Sequence, residues 1–172
     1  MTFNVSPGQV ASWANANRPK ASMADIAMLE ASLATTLPAT YVDFVARYGF
    51  VIFGDDVDRT CLFSYSLDKA GQREIHQYEA SFLFDPQMAL RVWRNLTDAS
   101  DPDDESLPSI PKAYFPIGND PGQGCLLIEL ATGRIRYWRE SEWRWGMYGN
   151  TQLGVVSDTF EEFINGLRAD PL

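Results

Sequence analysis

Apolar residues along this chain recur at two spacings, one helical and one alternating, and the changes between them mark out its elements. In "SMADIAMLEASLATTLP" Ile26, Leu29 and Leu33 fall on one side at helical spacing. Ser22 stands ready to cap the first turn, with Asp25 three residues on. In "LPATYVDFVARYGF" Pro38 interrupts that helix and opens another, because the first turn leaves the missing amide proton unneeded. Tyr41, Phe44, Val45 and Tyr48 then make one apolar side, and Gly49 can take the left-handed conformation that closes the last turn. The apolar run "FVIFG" follows as a strand, with "TCLFSY" as a second one expected to pair with it antiparallel across "DDVDR".

Further on the pattern is uneven. Residues 66 to 81 fit no single period, and "ASFLF" reads as a strand. Asp85 as cap and Pro86 at the first helical position predict a third helix to about Asn95, with Ala89, Val92, Trp93 and Leu96 on its apolar side. "TDASDPDDESLPSIP" is rich in Asp, Ser and Pro with little to bury, so 98–111 is expected as an exposed acidic loop. "AYFPIGND", "GCLLIEL" and "RIRYWRE" read as a three-stranded meander over residues 113 to 139. A terminal helix is expected from a cap at Asp158–Thr159, burying Phe160, Phe163, Ile164 and Leu167; Gly166 within it costs about 1 kcal/mol of propensity. Residues 1 to 21 carry little pattern: Pro7 can open a short helix with Val10, Trp13 and Ala14 on one side, ended by Asn15, Asn17 and Pro19. That segment is expected to pack as a loose arm.

Length and composition then narrow the class. At 172 residues, with 45% hydrophobic and 13% aromatic side chains, the chain suits one domain, 1–172, with a core that needs no disulfide or metal. The predicted class is α/β of the α+β kind, helices packed on a central, mostly antiparallel sheet. No run approaches the roughly 18 apolar residues of a membrane span, and "MTFNVSPGQVASW" lacks the basic and apolar regions of a leader, so a cytoplasmic location is expected. A net charge of −9, from 23 acidic against 14 basic residues, disfavours nucleic acid and anionic membranes as partners and favours a basic protein. Cys61 and Cys125 each sit in an apolar run and read as buried, reduced thiols.

Residues able to carry chemistry are few. His76 is the single histidine, so any histidine-based metal or acid–base site would rest on it alone. There is no G-x-S-x-G elbow and no Walker-type loop; "GNDPGQG" lacks the following lysine and reads as a hairpin turn. No catalytic residue, metal site or cofactor is expected, and the chain is read as a non-enzyme. Asp55, Asp56 and Asp58 follow a strand, while Asp101, Asp103, Asp104 and Glu105 lie in the Pro-Ser loop; neither group has the ligand spacing of a calcium loop. Solubility alone accounts for such runs. Arg134, Arg136, Arg139 and Arg144 interleave with Tyr137, Trp138, Trp143 and Trp145, a mixture found in nucleic-acid patches and protein hot spots. A core strand with Ile135 and Tyr137 inward and Arg134, Arg136 and Trp138 on the solvent side also accounts for it; among functional options a protein contact fits the acidic surroundings better.

Four elements in order resemble the SUKH superfamily, whose members include bacterial immunity proteins against secreted toxins and fungal cell-wall regulators. They are the "LPATYVDFVARYGF" corner and helix running into a strand, "YFPIGNDPGQGCLLIEL", "GRIRYW" and "VVSDTFEEFINGL", and the likeness spans residues 22 to 168. The resemblance implies a binding module with no catalytic apparatus. It implies an immunity protein that occupies a cognate toxin domain, such as a nuclease or deaminase, or alternatively a regulatory or scaffold module of the same fold. On that view the acidic groups could mimic a phosphate backbone, and the partner-binding candidates are Asp55, Asp56, Asp58, Asp101, Asp103, Asp104, Glu105, Trp143 and Trp145. The oligomeric state and the fold of residues 66–108 stay open.

Overall fold

The computed structural model describes residues 3–14, 20–69, 71–97, 110–122, 124–139 and 153–170. The helices expected from periodicity are present. α2 (Met23–Leu33) begins at Ser22, whose side chain accepts from the Asp25 amide while the Asp25 carboxylate accepts from the Ser22 amide. α3 (Ala39–Tyr48) begins just after Pro38 and ends at Gly49, where φ is +67°. α4 (Pro86–Thr97) is capped by Asp85, which accepts from the Met88 amide at 2.9 Å. α5 (Phe160–Asn165) is capped by Thr159, and Gly166 follows the helix as its C-cap. The expected penalty for a mid-helix glycine therefore does not arise.

The segment expected as a loose arm is anchored. α1 (Pro7–Trp13) starts from a capping box between Ser6 and Gln9, and Trp13, at 0% exposure, meets Phe44, Tyr48 and Phe53 edge-on. Burial of an indole of that size stabilises by roughly 2–3 kcal/mol, which outweighs the weak patterning of the segment.

All strands join one antiparallel sheet in which the order is β1-β4-β5-β6-β7-β8-β2-β3, with β9 also against β2. The strands are β1 (Val51–Ile52), β2 (Thr60–Lys69), β3 (Gln72–Glu79), β4 (Phe82–Leu83), β5 (Tyr114–Asn119), β6 (Cys125–Glu129), β7 (Ile135–Trp138), β8 (Gly154–Ser157) and β9 (Arg168–Ala169). The β5-β6-β7 meander matches the expected one in position and order. Pairing of β1 with β2 does not occur. β2 has β3 along one side and β8 and β9 along the other, so both its sides are filled, and β1 pairs with β4 instead. The ambiguous residues after Ser66 complete β2 and form β3.

Alternation sorts the side chains onto two faces. Tyr41, Phe44, Phe63, Phe115, Ile117, Leu126, Ile128, Ile135, Tyr137 and Phe160 share the main core under the helices. On the opposite face Leu127, Cys125 and Trp138 pack with Leu96 and Ile110 in a second, smaller core. The expectation of a solvent side for β7 thus needs correcting at Trp138, which is 1% exposed.

Candidate protein-binding surface

The acid-rich turn between β1 and β2 is held from within. Gly54 and Arg59 take positive φ values of 74° and 49°, and Asp56 closes the loop between them. Its carboxylate accepts from the amides of Asp58 at 3.0 Å and Thr60 at 3.1 Å and from the Thr60 hydroxyl at 3.1 Å. Asp56 is 8% exposed, so of the three aspartates proposed from sequence it is the one turned inward. Asp55 and Asp58 remain on the exposed side of the turn. Arg59 reaches 3.3 Å to Asp170, and the Asp170 amide donates back to the Arg59 carbonyl, which ties the turn to the strand β9.

The β2–β3 hairpin extends this surface. Asp68, Glu74 and Glu79 are exposed along it. A cavity of about 180 Å³ lies between the turn and the start of β4, lined by Gly54, Arg59, Cys61, Glu79 and Phe82 among others. A larger one of about 440 Å³ lies beyond Glu79, between Leu62, Gln77, Tyr78 and Pro121. Burial, together with the Glu79 carboxylate nearby, pushes the Cys61 thiol up, which makes it a poor nucleophile.

Behind the hairpin a polar node fixes the β5–β6 connection. Asp120 is 2% exposed and accepts from the Gly122 amide at 2.6 Å, the Gly124 amide at 2.8 Å and the Tyr137 hydroxyl. A Cβ at Gly124 would lie 2.5 Å from the Asp120 carboxylate and 2.6 Å from the Tyr137 hydroxyl, so only glycine fits there. Burial, the hydrogen bond to Asp120 and the Asp120 charge together raise the Tyr137 pKa. The glycine-rich "GNDPGQG" therefore directs these two amides at its own aspartate, which is the hairpin reading made from sequence.

The one histidine serves the surface. His76 stacks on Tyr65, with centroids 5.2 Å apart, and its Nε2 lies 3.2 Å from the Glu74 carboxylate. Cys61 belongs to the main core and Cys125 to the second one, and both are free thiols. Among the described residues no group of three or more potential metal ligands gathers, and no helix is long and apolar enough to cross a membrane.

The described arginines of the Arg/Trp stretch have partners within the chain. Arg134 lies 3.0 Å from Asp158, Arg136 bonds Glu129 at 2.8 Å, and Arg139 sits over the Tyr78 ring at 5.4 Å. Burial works to raise the Glu129 pKa, but hydrogen bonds from Arg136 and Thr132 and the nearby arginine charges outweigh it and hold the carboxyl below its ordinary value. Asp101, Asp103, Asp104, Glu105, Arg144, Trp143 and Trp145 lie outside the described residues.

Two features escaped the sequence reading. The Asp120 node was signalled only by an aspartate followed at +2 and +4 by glycine, the mark of a carboxylate that caps its own turn. The strand β3 carries polar residues on both faces and so has no period to detect.

Compared with known proteins, the chain finds no match among curated sequences. It does match a family defined by sequence over residues 20–166, from the approach to α2 to the C-cap of α5. That span takes in α3, the β5–β6 hairpin with Asp120, β7 and α5, which are the elements that carried the resemblance. The chain belongs to the SMI1/KNR4 family (SUKH-1).

Proposed function

We propose that this protein is an immunity protein that binds a cognate bacterial toxin domain one to one in the cytoplasm and neutralises it without turning over a substrate. The observation that carries this reading is membership, over residues 20–166, in a family that includes toxin immunity proteins and related regulators. The surface fits the same reading. Asp55 and Asp58 in the turn and Glu79 at the adjoining end of β3 are exposed acids, suited to the basic cleft of a nuclease. Asp101, Asp103, Asp104 and Glu105 would add to that field, and Trp143 and Trp145 would serve as apolar anchors. The charged loop of a regulator would use the same residues on a cellular protein, so the alternative is a scaffold role for the same surface.

The test is co-expression. The neighbouring reading frame is searched for a large secreted protein, and the C-terminal domain of that protein is induced alone and together with the chain. Restored growth and a one-to-one complex on co-purification support the proposal. Unrelieved toxicity with both proteins soluble overturns it.

A further inference from the structure

Among the described residues β3 ends the sheet at one side, and apart from its charged side chains it lacks the usual protections of such a strand. It spans eight residues, Gln72–Glu79, with no proline, no lysine and no bulge in its register against β2. Ile75, near its middle, is 74% exposed. Which backbone groups point outward follows from the pairing. The Ala80 amide donates to the Cys61 carbonyl, so even-numbered positions of this strand bond inward to β2. By alternation, Arg73, Ile75, Gln77 and Glu79 direct their N–H and C=O groups away from the sheet.

We propose that β3 is a self-pairing strand, and that two copies of this chain join β3 to β3, antiparallel, about a two-fold axis at Ile75. Only registers that set odd positions against odd ones let the outward groups bond. In the register centred on Ile75 the two isoleucines face each other, Glu74 faces His76 of the second copy, Arg73 faces Gln77, and Gln72 faces Tyr78. No like charges meet. One permitted step in one direction sets Glu74 against Glu74, and one in the other sets His76 against His76. Glu74 already bonds His76 within the chain at 3.2 Å, so in the dimer each carboxylate lies between its own imidazole and the facing one. The interface is isologous and closes at two copies, so pairing through β3 does not propagate into fibres.

The net charge of −9 adds a signature. Two such copies repel at long range, so salt strengthens their pairing by screening. A basic segment docked on the same acidic surface would respond in the opposite sense.

Sedimentation velocity of the full chain over a range of concentrations and salt tests this. The expected result is a monomer–dimer equilibrium that tightens as salt is added and weakens at least about tenfold in Ile75→Lys, whose side chain is exposed and leaves the fold intact. Hydrogen-bonded antiparallel partners have Cα atoms about 5.5 Å apart, within disulfide range. Mild oxidation of the Ile75→Cys variant therefore gives a covalent dimer. Gln72→Cys does not, since the two positions lie about 20 Å apart, six residues of about 3.4 Å rise. The native thiols, 5% and 7% exposed, do not compete. A monomer at every concentration and salt, or a dimer indifferent to Ile75→Lys and not trapped through Ile75→Cys, overturns the proposal. The readout needs no other protein, so it is independent of the toxin-binding function.

Discussion

The molecule has two regions of opposite construction, one packed and one open. Under α3 and α5 the chain packs ring against ring: Phe44 has Phe3, Trp13, Tyr48 and Phe160 around it, all with centroids within 5.6 Å. At β3 and the β1–β2 turn most side chains are polar or charged and contact solvent, and order comes from backbone pairing and one inward carboxylate. The first region specifies the fold through volume and shape, which salt leaves untouched. The second sets exposed charges and the outward backbone groups of β3 at the surface. Binding can therefore be tuned without disturbing the core.

The largest effect is expected at Phe44, which is 0% exposed. Phe44→Ala removes a ring from the centre of the aromatic cluster and leaves a cavity that the neighbouring rings cannot fill without losing their edge-on contacts. The expected loss is about 4 kcal/mol in urea unfolding. A loss under about 1 kcal/mol would mean that the packing is loose and that the two regions differ less than claimed.

Next comes Asp120, which is polar yet belongs to the buried region. Asp120→Ala strands the Gly122 and Gly124 amides and the Tyr137 hydroxyl. The expected destabilisation is about 3 kcal/mol, with Tyr137→Phe costing about 1 kcal/mol by itself. The same measurement at Asp56→Ala should give about 1.5 kcal/mol, since the Thr60 and Asp58 amides it releases lie closer to water. That ranking places Asp56 with the framework and not with the docking acids.

How far each region was legible in the sequence follows from the same contrast. A buried face imposes a period, so Ile26, Leu29, Tyr41, Phe44 and the meander around Leu126 and Ile128 announce their elements. Pro38 and Gly49 announce where α3 starts and stops, because each has a backbone conformation of its own. β3 buries almost nothing, so its pattern is free to be polar throughout and the strand is invisible until β2 is seen beside it. The anchoring of Trp13 was hidden for another reason: one large ring suffices to fix α1, and a single residue has no period. Asp120 and Tyr137 are joined only by the fold, being 17 residues apart. Of the candidate site, the exposure of Asp55 and Asp58 was legible as charge in a turn. The inward direction of Asp56 was not, since it depends on Gly54 and Arg59 taking positive φ.

A smaller effect separates the regions by pH. Burial first, and the Asp85 charge second, raise the Tyr41 pKa, and burial likewise leads at Tyr137. In the unfolded chain tyrosine ionises at about 10. A group whose folded pKa is the higher one contributes its full stability below the unfolded value and loses it as pH rises past that point. The fold should therefore weaken above about pH 10. Tyr41 Oη has no hydrogen-bond partner among the described residues, so Tyr41→Phe should be neutral or stabilising by up to about 1 kcal/mol at pH 7. Thermal melts between neutral and alkaline pH should show the variant losing less stability than the parent; an equal loss would remove Tyr41 from this account.

The smallest effect on stability is expected at the surface, and it tests the comparison from the other side. Asp55→Asn with Asp58→Asn removes two exposed charges from the turn while Asp56 still holds its shape. Unfolding should shift by no more than about 0.5 kcal/mol, because exposed carboxylates contribute little to the fold. Association with a basic partner should slow several-fold at low salt and converge on the parent's rate as salt is added, since the two charges act by steering. Stopped-flow association with the partner found by co-expression measures this directly. If the double variant unfolds more easily by over 1 kcal/mol, the exposed acids are part of the framework after all. If stability holds but the rate is unchanged at every salt concentration, the partner docks elsewhere, and the division between a packed region and a binding region has been drawn at the wrong turn.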